Sequence, residues 1–160
     1  KIQNIFFFDE KYKRISEDAD LNYQLLKNSE KIYVSSKIVA YYYCRESIIK
    51  FIKLMFNYGV SRGLFIFKNK NFTSFRQLLL PVMSLVMAFL LLVGFYNNDF
   101  LSFVIYSVIF YLITISLVSI YISEKKINFI YKAFFCFIGT HFAWTLGFYY
   151  SLYLFIKNRV

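Results

Sequence analysis

The sequence predicts a two-part chain: the α/β tail of a water-facing domain, an amphipathic helix at its edge, and an α-helical membrane region of about three helices. Three observations carry this. Residues 1–76 hold 14 Lys/Arg and 7 Asp/Glu, while residues 77–160 hold 5 and 2. The second half contains three uncharged stretches, each long enough to cross a hydrocarbon core of about 30 Å, which takes about 20 helical residues. Between the two halves, the apolar pattern changes from strand-like runs to a helical period. The boundaries fall at 1–45, 46–76 and 77–160.

Composition excludes several classes. With 59% hydrophobic and 23% aromatic residues and a mean hydropathy of +0.49, the 160-residue chain carries too much apolar surface for a disordered protein. Two cysteines, Cys44 and Cys136, are too few and too far apart for a disulfide-stapled module. The formal net charge of +10 suggests an anionic membrane surface rather than nucleic acid, because a nucleic-acid face would have to coexist with three spans.

The elements follow in order. Ile2 to Phe8 reads as a strand or buried loop arriving from elsewhere, and no signal peptide opens the chain. The first half is therefore expected to be the end of a larger domain. Ser16 is a good N-cap, with Glu17, Asp18 and Asp20 in the first turn before Leu21, Tyr23, Leu25 and Leu26. These acids have two readings: ordinary first-turn acids, or a general base presented at a helix N-terminus. Lys31 to Tyr43 predicts one or two strands, with Ser35-Ser36 as a turn. From Arg45 to Phe67, Ile48, Ile49, Ile52, Met55 and Phe56 share a helix face opposite Lys50, Lys53 and Asn57. Such a basic amphipathic helix before a span lies in the membrane interface, or else is a core helix of the soluble piece. Gly59 and Gly63 are expected to loosen or break it.

The spans are placed at 77–98, 100–123 and 133–156. Pro81 falls in the first turn of its segment, where a missing N–H costs little. Lys68, Lys70 and Arg76 precede the first span, and Lys125, Lys126 and Lys132 fill the link before the third. The positive-inside rule places residues 1–76 and that link in the cytoplasm, whereas Lys157 and Arg159 then fall outside, against the rule. Gly139, Ala143, Gly147 and Ser151, spaced by four, form a small-residue face for close helix approach. His141 is the polar candidate of the membrane segments. Its plainer reading is a neutral imidazole hydrogen-bonded to a facing helix, and no second ligand makes it a metal site.

An ordered series of motifs then carries a resemblance. Phe8-Asp9-Glu10, Glu17-Asp18-Ala19-Asp20-Leu21-Asn22, Lys31-Ile32-Tyr33 through Tyr41-Tyr42-Tyr43, Phe56-Asn57-Tyr58-Gly59, Arg62-Gly63 and His141-Phe142-Ala143-Trp144 resemble membrane-bound family 2 glycosyltransferases. The similarity is to the succinoglycan type that builds exopolysaccharide and capsule, and it covers nearly the whole chain. It implies a GT-A domain that transfers sugar, with inversion, from a nucleotide-diphosphate sugar donor to a lipid-linked glycan or polysaccharide acceptor. It also implies Asp18 as the base, Glu17 as the residue positioning its loop, and Asp9 and Glu10 at the acceptor side. Asp20 is then a helix-surface acid or one acting from behind the reacting groups. Asn57, Tyr58 and Arg62 become candidates for substrate contact. Arg62 has two readings, a bidentate phosphate ligand or a headgroup-facing arginine.

Two departures qualify the resemblance. The family's metal-binding Asp-x-Asp motif, which holds a divalent metal (Mg2+ or Mn2+), lies N-terminal to the matched region and is therefore absent. The positions aligned with Gln-x-x-Arg-Trp of processive synthases are Leu54, Asn57 and Tyr58, none identical, which favours addition of a single sugar. By itself this stretch is expected to be inactive. The alternatives are a non-catalytic three-helix anchor or assembly subunit with a short cytosolic cap, and a phosphate- or lipid-carrier protein centred on Arg62 and His141.

Overall fold

A computed structural model describes residues 17–43, 45–70, 75–124 and 126–157, with Glu17 and Arg76 described by backbone alone. Five helices make up the regular structure of these residues: α1 (Glu17–Lys27), α2 (Ile48–Asn69), α3 (Arg76–Gly94), α4 (Asn98–Ile122) and α5 (Ile127–Ile156). The expected strand at Ile2–Phe8, the Ser16 cap and Cys44 lie outside the described residues.

No strand occurs among the described residues, so the expected strands between Lys31 and Tyr43 are not formed. That segment has no regular structure and is largely exposed, with a turn at Ser36-Lys37. Its β-branched and aromatic residues have the right propensity, but a strand exists only when a second strand completes its ladder. No described segment lies alongside to do so. The α/β character expected of the first part is therefore not seen, and the described architecture is all-helical.

α2 is one unbroken helix of 22 residues. The Ser47 side chain caps it by accepting from the Lys50 amide at 3.3 Å. Lys70, in the left-handed region at φ 48°, ends it. The expected break at Gly59 and Gly63 does not occur, because these glycines serve packing. A Cβ on Gly59 would strike the carbonyl of Trp144, one on Gly63 the side chain of Ser151, and one on Gly147 the carbonyl of Phe56. The small stripe of α5 thus interlocks with a Gly-x-x-x-Gly stripe on α2, the arrangement by which membrane helices approach without a hydrophobic driving force.

The pairing has a direction. Ile52 lies against Gly139, Phe56 against Gly147, Gly63 against Ser151, and Phe67 against Phe155 at 5.5 Å between rings. Numbers rise together along both helices, so α2 and α5 run parallel. Over the 15 steps from Ile52 to Phe67 they stay in contact for about 22 Å, at about 1.5 Å per residue. The core sits at the C-terminal end of this pair, built on Leu64, Phe65, Ile66 and Phe148, with Leu78 of α3 and Trp144 packed on it.

Three helices are long and apolar enough to cross a membrane: residues 77–94 within α3, all of α4 and all of α5. Asn97 caps α4 by accepting from the Asp99 amide at 2.8 Å. Pro81 is the sixth residue of α3, not a first-turn residue, so the Gln77 carbonyl lacks its usual helical N–H. The Pro81 carbonyl accepts from Tyr149 Oη of α5 at 2.6 Å and from Ser84 Oγ at 2.8 Å. This bond joins the start of α3 to the C-terminal third of α5.

Candidate functional site

The candidate site is built on α1 and the C-terminal half of α2. α1 begins at Glu17, as the acid-rich first turn leads one to expect. Asp18 is exposed, and its Oδ1 accepts from the Ala19 amide at 2.8 Å. Asp20, two residues on, is 1% exposed. Residues two apart on a helix are about 200° apart, because 3.6 residues make a turn. One carboxylate therefore faces the protein while the other faces away.

The inward carboxylate is densely partnered. Asp20 Oδ2 accepts from Gln24 Nε2 at 2.7 Å and pairs with Lys68 Nζ at 3.3 Å. Its Oδ1 accepts from Asn69 Nδ2 at 3.0 Å, and the same amide donates to the Phe65 carbonyl at 3.1 Å. The alternative of Asp20 as a helix-surface acid is thereby corrected. A buried carboxylate is tolerated only where charged and polar donors replace its lost water, and here three do.

Beside this cluster, Tyr23 meets Phe65 edge-on at 5.5 Å between ring centroids. Phe65 is fully buried, and the Arg62 guanidinium lies 5.8 Å from its ring centre. Tyr58, Arg62, Phe65 and Asn69 are spaced 4, 3 and 4 residues apart, so they form one stripe of α2, turned away from the stripe that meets α5. α1 covers the C-terminal end of this stripe, leaving Tyr58 40% exposed and Arg62 half-buried further along it.

The structure thus places Tyr58 and Arg62 on one stripe with Phe65, which Tyr23 of α1 meets, while Asp18 is exposed on the side of α1 away from Asp20. Asn57 is half-buried one position before Tyr58 and lies on a different stripe. Asp9 and Glu10 are outside the described residues, and Glu17 is placed by backbone only. His141 is elsewhere: its Nδ1 lies 2.9 Å from the Tyr111 hydroxyl of α4, a hydrogen bond between facing helices. The described residues contain no group of three or more His, Cys, Asp or Glu able to hold a metal.

Lys68 and Asn69 are functional neighbours that the sequence did not announce. The Asp20–Gln24 contact has a local signal, since i, i+4 pairs face each other on a helix. Asn69 is 49 positions from Asp20, and no spacing rule links them.

Over 52 residues the chain is 42% identical to the dolichyl N-acetyl-alpha-D-glucosaminyl phosphate 3-beta-D-2,3-diacetamido-2,3-dideoxy-beta-D-glucuronosyltransferase of Methanococcus voltae. The matched stretch is 32% of this chain and 16% of that protein. No family profile matches the chain. No solved structure matches it.

Proposed function

We propose that this chain is the C-terminal part of an inverting membrane glycosyltransferase of family 2, of the exopolysaccharide or capsule type. It transfers a sugar from a nucleotide-sugar donor to a lipid-linked or polysaccharide acceptor. The observation that carries the reading is the 42% identity to a glucuronosyltransferase whose name specifies a dolichyl-phosphate-linked sugar. Three helices able to cross a membrane support it, as does an exposed carboxylate at the start of α1.

In this reading Asp18 is the general base. It takes the proton from the acceptor hydroxyl while that oxygen bonds to the anomeric carbon and the bond to the nucleoside diphosphate breaks. Attack from the face opposite the leaving group inverts the centre. Glu17 holds the preceding turn, and Asp9 and Glu10 line the acceptor side. Arg62, half-buried on the stripe that α1 caps, offers a bidentate donor to an acceptor or donor phosphate, with Tyr58 one turn before it and Asn57 alongside. The membrane is the cytoplasmic membrane, with α1 on its cytosolic face.

The test is Asp18→Asn in the full-length protein, assayed in membranes for transfer of labelled sugar into the lipid fraction. Transfer is expected to fall by about 10²–10⁴-fold, the contribution of a positioned base. Wild-type transfer by this variant would refute the assignment and favour the non-catalytic anchor.

A further inference from the structure

We propose that Asp20 is a positioning residue: its buried carboxylate locks α1 onto the C-terminal end of α2 and so fixes where Asp18 stands. The inference deepens the reading of Asp18 as base and rests on it.

α1 cannot hold its own orientation. It has 11 residues, fewer than the roughly 12–15 that an isolated helix needs even to be marginal in water. No backbone hydrogen bond joins it to α2 among the described residues. The contact of Tyr23 with Phe65 brings the helices together, but an aromatic edge lying on a ring tolerates rotation of α1 about its axis. The Asp20 cluster does not. Its two oxygens face different donors, Asn69 on one side and Lys68 with Gln24 on the other, so the carboxylate plane is held as well as its position.

The lever is short. A side-chain tip lies about 5–6 Å from a helix axis, so a rotation of about 20° moves Asp18 by about 2 Å. A displacement of about 1 Å in a reacting group can cost about 100-fold in rate. Through α2, which packs along α5, the same cluster also fixes the height of Asp18 relative to the membrane helices. That height matters for an acceptor anchored in lipid, since its hydroxyl cannot move to meet a displaced base.

The experiment uses the full-length protein in membranes, with Asp20→Asn, which keeps size and loses charge, and Lys68→Met, which removes the pair from the α2 side. For both, kcat with a lipid-linked acceptor is expected to fall by about 10- to 100-fold, with donor KM within about twofold of wild type and unchanged protein abundance. Hydrogen exchange at the amides of residues 21–27 is expected to quicken in both. A wild-type kcat in both variants would overturn the proposal. So would a loss of rate that merely follows a loss of folded protein. If the unsubstituted protein transfers no sugar, the proposed function fails, and the exchange data still show whether Asp20 locks α1.

Discussion

Replacing the glycines between α2 and α5 one at a time separates a backbone clash from a side-chain clash. A Cβ at Gly59 meets the carbonyl of Trp144, and one at Gly147 meets the carbonyl of Phe56. Neither carbonyl can rotate away, because each is part of a continuous helix. At Gly139 the neighbours are Cδ1 and Cγ1 of Ile52 at 2.8 Å, the end of a side chain with rotamers to spare. Overpacking of a well-fitted contact costs about 1–3 kcal/mol. Alanine in a helix interior returns about 1 kcal/mol relative to glycine. Clashes with backbone sit in the upper part of that range, about 2–3 kcal/mol, so Gly59→Ala and Gly147→Ala are each expected to destabilise by about 1–2 kcal/mol net, while Gly139→Ala stays near zero. The double variant is expected to be non-additive, since both clashes are relieved by the same separation of helices. Trp144 is the single tryptophan of the chain, and its ring stacks on Phe148 at 5.9 Å, so thermal melting followed by tryptophan fluorescence in detergent reads this contact directly. For a chain of this size the midpoint should drop by about 2–8 °C at positions 59 and 147. Equal midpoints for Gly59→Ala, Gly147→Ala and Gly139→Ala would refute the interlocked pair.

Two further outcomes are expected. Tyr111→Phe removes the hydroxyl that meets His141 and should cost about 0.6–1.7 kcal/mol in stability without changing sugar transfer; abolished transfer in a folded variant would instead make His141 part of the chemistry. Lys27→Cys and Lys157→Cys should react with an impermeant maleimide from the same face of sealed vesicles, and labelling from opposite faces would mean that the α2–α5 pair does not form in the membrane.

The sequence made the apolar helices and the start of α1 legible because both are local. An uncharged run of twenty residues, or acids before a leucine repeat, carries its meaning within a few turns. The small stripe of α5 was legible too, as a face awaiting a partner. What could not be read was the partner. Gly59 and Gly63 look like breakers by propensity, and only the proximity of Trp144 and Ser151 turns them into contacts. The same holds for Asp20, whose burial depends on Lys68 and Asn69 from a helix nearly fifty residues later. The Lys31–Tyr43 segment shows the converse: strong β propensity without a strand to pair with leaves a chain of no regular structure.

The parallel pairing also gathers distant parts of the chain at one end of the helix pair. α3 begins seven residues after α2 ends, and Pro81 near its start is bonded to Tyr149 of α5. Phe67 at the end of α2 touches Phe155 near the end of α5, and α1 is tied to the same end of α2 through Lys68 and Asn69. The beginning of the apolar region and its end therefore lie beside each other. All three apolar helices are long enough to cross a membrane. α5 is the least apolar of the three, whereas the Tyr111–His141 bond holds it against α4. Lys157 at the end of α5 therefore lies at the same end of the helix pair as Lys68 of α2. In the proposed enzyme the parallel α2–α5 pair is a platform, and the Asp20 cluster ties α1, which carries the exposed Asp18, to its C-terminal end.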